Sequence, residues 1–507
     1  MYNSSTSFNV ATMLVASAAR NPSKRALRFG ALDLSFEQTH DLALRAADQL
    51  RSDGVKPGDR VAIAIANPVQ ATVLVLALWF LDATPVVIDA RSRAAERARL
   101  SEFLTLAGIL QSRQPPGEGV FPALGCDNAW WDALGRRAHP EPRIPAGTAA
   151  AMITVSSGTT GLPMAAGFSH DRYQLGLMMR RQPGVFRFGQ IFLNPLTFSF
   201  SASVNHTFNH LLCANTVEFS SHLAAPTDLA AHIVQTGANF TFLTRPQLSG
   251  LLGLDADPLR GSCLDVVFSA GSRLPEDVIL ATMNRIAPNL TYAYSTGLSG
   301  QIAINSGDAL ARNPASVGPP LPGVHIQIVD DAGHPCPPGQ SGHIRVASPA
   351  IASFALTPEG RKGRDRIDST WVMPGDIGFL DPDGALTITG RSGTFIISGG
   401  ATIYPEEVEA VLTQCPNVLD CVVTSIPSRS HGEEVVAIAV PSGPLTKADL
   451  QSYARANLSP AKCPKAFFVA DALAYNANGK LDRAANRDLI DTLIIDTLKS
   501  STDSGRT

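Results

Sequence analysis

The chain lacks an excess of charge of either sign. Its 41 Lys and Arg stand against 44 Asp and Glu, a net charge of −3 over 507 residues. Nucleic-acid binders carry a basic excess, so no nucleic-acid partner is expected. Cysteine is scarce: seven residues, at positions 126, 213, 263, 336, 415, 421 and 463, with no C-x-x-C spacing. An odd, scattered set gives no disulfide framework and predicts reduced, mostly buried thiols in a cytoplasmic protein. Long apolar runs are missing too. The most apolar stretch, 71–81, is bounded by Gln70 and Asp82 and falls short of the ~20 residues a bilayer needs, so no membrane span is expected. The start, Met1-Tyr2-Asn3-Ser4-Ser5, has no basic segment leading into an apolar one, which argues against a signal peptide. No repeat with a period of about 20–50 residues occurs, which excludes a solenoid.

What is present is the texture of a layered α/β protein, long enough for two or more domains. Short apolar strands at 60–65, 86–88 and 264–269 alternate with helical patterns at 71–81 and from near Pro275. That alternation predicts mostly parallel sheets. Between Val324 and Thr389 the pattern changes to strict alternation broken by turns at Asp330–Gly333 and Asp381–Gly384, the mark of a small antiparallel, β-barrel-like part. Beyond Gly390 a small α+β unit is expected. Pro405 opens a helix there, with Glu406 and Glu407 in its first turn and Val408, Val411 and Leu412 as its stripe,. A strand at 435–440 and a final helix through Leu489, Leu493 and Thr497 complete the unit, and a polar tail follows. The expected domains are 1–392 and 393–507, with the boundary at Ser392–Gly393.

The chemistry begins at a loop. The β-branched run Ile153-Thr154-Val155 feeds into Ser156-Ser157-Gly158-Thr159-Thr160-Gly161-Leu162-Pro163-Met164. Small residues let backbone N–H groups approach an anion, and the hydroxyls add donors, so the loop suits a nucleoside triphosphate tail. Further candidates follow in order: Phe198 and Phe200 after Asn194-Pro195; Ala270-Gly271-Ser272; Tyr294-Ser295-Thr296; Gly375-Asp376; Gly390-Arg391; Ser398-Gly399-Gly400; and Asn478-Gly479-Lys480.

This series, from about residue 10 to 485, resembles the adenylate-forming superfamily of acyl-CoA synthetases, carrier-protein adenylation domains and luciferases. The resemblance implies a large N-terminal domain that binds nucleotide and acyl group, and a small rotating lid that carries the catalytic Lys480. It implies a phosphate loop at Ser156–Gly161, an adenine strip at Ala270, Gly271 and Ser272, and Tyr294 stacked on the base beside Ser295 and Thr296. Asp376 would accept both ribose hydroxyls and Arg391 would contact ribose and phosphate. Ser398, Gly399 and Gly400 would line a pantetheine tunnel, and Phe198 and Phe200 an acyl pocket, although apolar residues in such a segment also serve as plain core. The implied reaction joins a carboxylic acid to ATP as acyl-AMP, then passes the acyl group to CoA or a carrier-protein pantetheine.

Two positions depart from the family's pattern. Met164 stands in place of the phosphate-loop lysine, and Leu298 in place of the glutamate that holds Mg²⁺. Gly297 stands where the family has its phosphate-touching threonine, with Thr296 one residue away as a substitute. No metal ligand is therefore assigned. Losing a charged group at phosphoryl oxygens costs on the order of 10²–10³ in rate, so nucleotide binding is expected to persist while ATP-driven adenylation slows. Two readings stand: a ligase for a hydrophobic or fatty acid, or an impaired homologue that binds nucleotide, acyl-AMP or a carrier protein. His206 and His210 have a spacing that suits a metal on one helix face, yet no glutamate accompanies them, and packing or pocket lining is the favoured reading.

Overall fold

The apolar run becomes a buried helix, Pro68–Phe80. Pro68 opens it, and the Asn67 side chain accepts from the N–H groups of Val69 (3.0 Å) and Gln70 (3.2 Å), which satisfies donors that a helix start leaves free. Every residue from Ala71 to Phe80 is buried, so the helix has no polar face to show. Trp79 lies at its end, its indole N–H donating to the Ala151 carbonyl at 2.6 Å. The computed structural model describes residues 8–112, 123–137, 144–156, 164–221, 224–254, 259–356, 365–366, 371–391, 396–398, 401–403, 405–428, 432–458, 462–476, 480–490 and 492–493.

Two eight-stranded sheets form the bulk of the molecule. The first runs, in spatial order, Gly300–Ser306, Asn289–Thr296, Val266–Ala270, Phe240–Phe242, Ile191–Asn194, Thr216–Phe219, Arg25–Phe29 and Leu32–Ser35. Its interior pairs are parallel and its two edge pairs antiparallel. The second sheet is parallel from Ala150–Ser156 through Thr84–Val87, Arg60–Ala64 and Gly108–Gln111 to Ala123–Gly125. Met164–Ser169 returns antiparallel to Ala150–Ser156. Connecting helices pack on these sheets, the α/β layering expected from the alternation.

The change of texture after Val324 is a four-stranded antiparallel sheet: His325–Val329, Gly342–Ala347, Asp376–Leu380 and Leu386–Arg391. Asp381 shapes its last turn, accepting from the N–H groups of Asp383 (3.0 Å) and Ala385 (2.8 Å). The small C-terminal unit has Ile396–Ser398, Ala401–Ile403, Val418–Ser428 and Gly432–Pro441, with Ala466–Val469 parallel to the last. Pro405–Leu412 is helical from its proline, and Leu489 and Leu493 pack on the unit's core. Thr497 lies outside the described residues. Apolar clusters follow the same division: those of the large unit include nothing beyond Ile388, and those of the small unit begin at Ile396.

Candidate active site

The cleft starts at the carboxyl ends of two parallel strands. Val266–Ala270 and Asn289–Thr296 lie side by side, with Ser269 opposite Tyr292 and Ala270 opposite Ala293. Ligand crevices of open α/β sheets form at such ends. After Ala270 the chain turns through Gly271 at φ +86°, a conformation that costs glycine nothing. A Cβ on Gly271 would lie 3.4 Å from Lys480 Cε and 3.9 Å from Phe200 Cζ. The small unit therefore carries Lys480 across to the strand ends of the large one.

The opposite wall is the hairpin whose residues Asp376 and Arg391 face each other across the ladder. Arg391 Nε stands 3.8 Å from Asp376 Oδ1, and the Tyr294 hydroxyl donates to Asp376 Oδ2. Burial pushes the Asp376 carboxyl above its ordinary range, while the Tyr294 bond, Arg391 and Lys480 draw it back. Burial, then the charge of Asp376, holds the Tyr294 phenol well above its usual value, so it remains a donor. Desolvation at the junction, then Arg391, pulls the Lys480 amine down, with Asp376 acting the other way. Lys480 is still exposed along part of its length. Its backbone is fixed by a pair of bonds with Asn476: its N–H donates to Asn476 Oδ1 at 3.1 Å, and its carbonyl accepts from the Asn476 N–H at 2.8 Å.

The structure thus brings Gly271, Tyr294, Asp376, Arg391, Lys480 and Phe200 together. Ala270 ends its strand, and Ser272 accepts from the Tyr292 hydroxyl at 3.2 Å. Ser295 is exposed, and the Thr296 hydroxyl accepts from the Ser299 N–H at 3.1 Å, an anchor for its own turn. Phe198 packs edge-on against Phe219, ring centroids 6.0 Å apart, inside the core. Ser156 ends its strand opposite Met164; Ser157, Gly158, Thr159, Thr160 and Gly161 lie outside the described residues. Ser398 ends a strand opposite Ala401, and Gly399 and Gly400 lie outside the described residues. His206 and His210 sit in an aromatic core, His206 4.6 Å from Phe268 and His210 4.6 Å from Phe192 between ring centroids.

The arrangement suits an adenosine monophosphate. A desolvated carboxylate can accept two hydroxyl donors at once, a bare glycine turn lets a flat base touch backbone, and two cations, Arg391 and Lys480, stand ready for phosphate. Among the described residues no group of three or more His, Cys, Asp or Glu forms a metal site. Leu298 is partly buried against the core, its carbonyl accepting from the Ala352 N–H at 2.8 Å.

One feature of the cleft has no motif in the sequence. Arg245, first residue of the helix Arg245–Leu252, pairs with Asp420 on the strand Val418–Ser428 of the small unit. The Tyr475 hydroxyl donates to the other Asp420 oxygen. Beside them Arg273 Nη1 donates to the Glu406 carbonyl at 3.3 Å.

Comparison with known proteins gives matches over most of the chain. The family described as AMP-binding enzyme matches residues 14–354, and that described as AMP-binding enzyme C-terminal domain matches 407–480. A 2-succinylbenzoate–CoA ligase of Bacillus licheniformis is 28% identical over 471 residues, covering 92% of this chain and 97% of the relative. The fatty acid–[acyl-carrier-protein] ligase ScoC of Streptomyces coeruleorubidus is 26% identical, covering 93% and 94%. The o-succinylbenzoate coenzyme A synthetase of Bacillus subtilis, solved with ATP and magnesium ion, superposes with a TM-score of 0.81 at 24% identity, covering 93% and 98%.

Proposed function

The chain belongs to the AMP-binding enzyme family, and on that premise we propose that it is an AMP-forming acid–thiol ligase. In the first half-reaction a carboxylate oxygen attacks the α-phosphorus of ATP. A new P–O bond forms and pyrophosphate leaves with the old one. In the second, a thiolate sulfur attacks the acyl carbon, the C–S bond forms, and AMP departs. The thiol belongs to CoA or to a carrier-protein pantetheine, in keeping with relatives named for each. ATP with magnesium as co-substrate is supported by the neighbour solved with both. The acid has a largely apolar body, since the Phe200 ring borders the cleft at Gly271. The free cysteines and the dependence on ATP point to the cytoplasm.

The observation that carries this reading is Lys480 of the small unit lying against Gly271 beside Asp376, Tyr294 and Arg391. In that place Lys480 offsets charge on the α-phosphate as bonds exchange, while Asp376 holds the ribose; positioning and charge neutralisation supply most of the acceleration in such chemistry. We place the domain boundary at Ser392–Gly393, between the last strand of the large unit and Ile396, so that the lid can turn and expose the acyl-AMP to thiol at Ser398–Gly400. A second reading, a nucleotide-binding homologue with weakened ATP turnover, is favoured by one observation: Leu298 packs against the core where the family carries an acid.

The test is pyrophosphate release over a panel of acids with Mg·ATP, with acyl-AMP trapped by hydroxylamine. Turnover that disappears in Lys480→Ala is the expected result. Nucleotide binding without turnover of any acid selects the second reading, and turnover indifferent to Lys480→Ala overturns the first.

A further inference from the structure

Lys480 sits at the start of one side of a narrow antiparallel loop. Tyr475 bridges Leu481 across it, and the Asp482 N–H donates to the Ala474 carbonyl at 2.9 Å. The buried Asn486 side chain clasps Ala474, accepting from its N–H at 3.0 Å and donating to its carbonyl at 2.8 Å. These bonds shape the loop. They do not say where on the small unit it rests. Arg483, the residue after Asp482, supplies that. Its Nη1 donates to Glu409 Oε1 at 2.8 Å and to the Val423 carbonyl at 3.0 Å, and its Nη2 to Glu406 Oε1 at 2.9 Å and Glu409 Oε2 at 3.1 Å. Both glutamates stand on the helix Pro405–Leu412. A planar guanidinium meets a carboxylate in a two-bonded fork that fixes direction as well as distance, and all three side chains are at least partly buried.

The same helix is where the small unit meets the cleft wall. Arg273, on the turn that follows Gly271, donates to the Glu406 carbonyl at 3.3 Å. The Glu406 carboxylate receives Arg483 on one oxygen, and its other oxygen is buried without a partner. Glu406 therefore touches the large unit through its backbone and the lysine loop through its side chain. A closed circuit results: Gly271 to Arg273 along the chain, Arg273 to Glu406, Glu406 to Arg483, Arg483 to Lys480 along the chain, and Lys480 back to Gly271.

We propose that Arg483 is a positioning residue for Lys480: it seats the lysine loop on the docking helix, so that the ammonium arrives at Gly271 when Arg273 takes hold of Glu406. The proposal rests on the reading of Lys480 as the cation for the α-phosphate and adds what sets that cation's place. The guanidinium is spent on the two glutamates, so it acts through Lys480 and not on the phosphate. A displacement of about 1 Å at a reacting group costs on the order of a hundredfold in rate, and a long lysine side chain on an unseated loop has that freedom.

The experiment is a double-mutant cycle read in each half-reaction. Arg483→Met should lower the kcat of acid-dependent ATP–pyrophosphate exchange by roughly tenfold to a hundredfold, with the KM for the acid unchanged, and leave thioester formation from preformed acyl-AMP as in the wild type. In a Lys480→Ala background it should cost nothing further, because groups that act as one unit are not additive. Arg483→Lys keeps the charge without the fork and should recover part of the rate. If Arg483→Met does not fold, as its Tm will tell, Glu409→Gln replaces it, with the same pattern and a smaller loss. A loss shared equally by both half-reactions, or one that adds in full to that of Lys480→Ala, overturns the proposal and leaves acid activation standing. If no acid is turned over, the same cycle is read from AMP affinity by calorimetry. A Kd weakened about tenfold by Arg483→Met, and no further in Lys480→Ala, supports the positioning role while the ligase reading falls. No turnover, with an AMP affinity that Arg483→Met leaves unmoved, overturns both.

Discussion

Lys480 and Asp376 titrate in opposite senses, and their shifts fix the shape of the pH profile. In the role proposed for it, Lys480 must be charged to act on phosphate. Its pKa is lowered, so kcat/KM is expected to fall as pH rises through a value below that of an ordinary lysine. In the role proposed for it, Asp376 must be ionised to accept two ribose hydroxyls, and burial raises its pKa, so the acid limb is expected above that of an ordinary aspartate. Two substitutions move the limbs separately. Lys480→Arg carries a charge that does not titrate and should push the alkaline limb upward while costing rate. Tyr294→Phe removes a bond that lowers the Asp376 pKa, so the acid limb should move up in pH. An acid limb that stays in place in Tyr294→Phe would show that another group sets it. Gly271 gives a third expectation. Its φ of +86° makes Gly271→Ala cost roughly 1–2 kcal/mol, readable as a lower denaturation midpoint.

At the scale of elements, the two departures from the family's pattern sit at strand ends. Met164 begins Met164–Ser169, and Leu298 lies in the turn between Asn289–Thr296 and Gly300–Ser306. Leu298 is partly buried on the core, so Leu298→Glu alone should lower the Tm, because a carboxylate there gives up apolar contact and some hydration. Met164→Lys with Leu298→Glu is expected to raise pyrophosphate release by on the order of ten- to a hundredfold over the wild type; no gain would place the limit on turnover elsewhere. The elements themselves were legible where the chain is punctuated. The Asp381–Gly384 turn and the Pro405 helix start fall where the residues predict, because aspartate and proline impose local geometry. The helix predicted from 71 begins at Pro68, since its N-cap, Asn67, lies outside the apolar run that signalled it. The strand predicted at 264–269 runs Val266–Ala270, and the helix after it begins at Glu276 with Pro275 as its cap. That one-residue extension puts Ala270 in the ladder and sends Gly271 into the cleft. Phe198 and Phe200 read alike in sequence; only the packing separates a ring against Phe219 from one beside Gly271.

At the scale of the molecule, what escaped the sequence is the contact between its two units. Motif spacing exposes residues that serve one ligand from neighbouring strand ends. It cannot expose Arg245 and Asp420, which are 175 positions apart and belong to no pattern. Yet this pair bears on how the lid is held. Both side chains are 13% exposed, and burial raises the Asp420 carboxyl against the pull of Arg245 and then Tyr475. Lys480 reaches Gly271 only while the small unit is docked in this way, and the thiol step proposed above needs that unit to turn. Arg245→Ala leaves the Asp420 carboxylate desolvated, with the Tyr475 hydroxyl and the Cys421 N–H still donating to it, and breaking a buried pair costs about 3–5 kcal/mol. A loss even half that size shifts a two-state equilibrium by on the order of tenfold or more. Arg245→Ala should therefore slow acid-dependent ATP–pyrophosphate exchange by about tenfold, and leave thioester formation from preformed acyl-AMP as fast as in the wild type. Arg245→Ala with Asp420→Asn, which removes the stranded charge, should recover part of the exchange rate. Equal losses in both half-reactions would mean that the pair merely supports the fold, and that docking of the lid depends on Lys480 and its ligands alone.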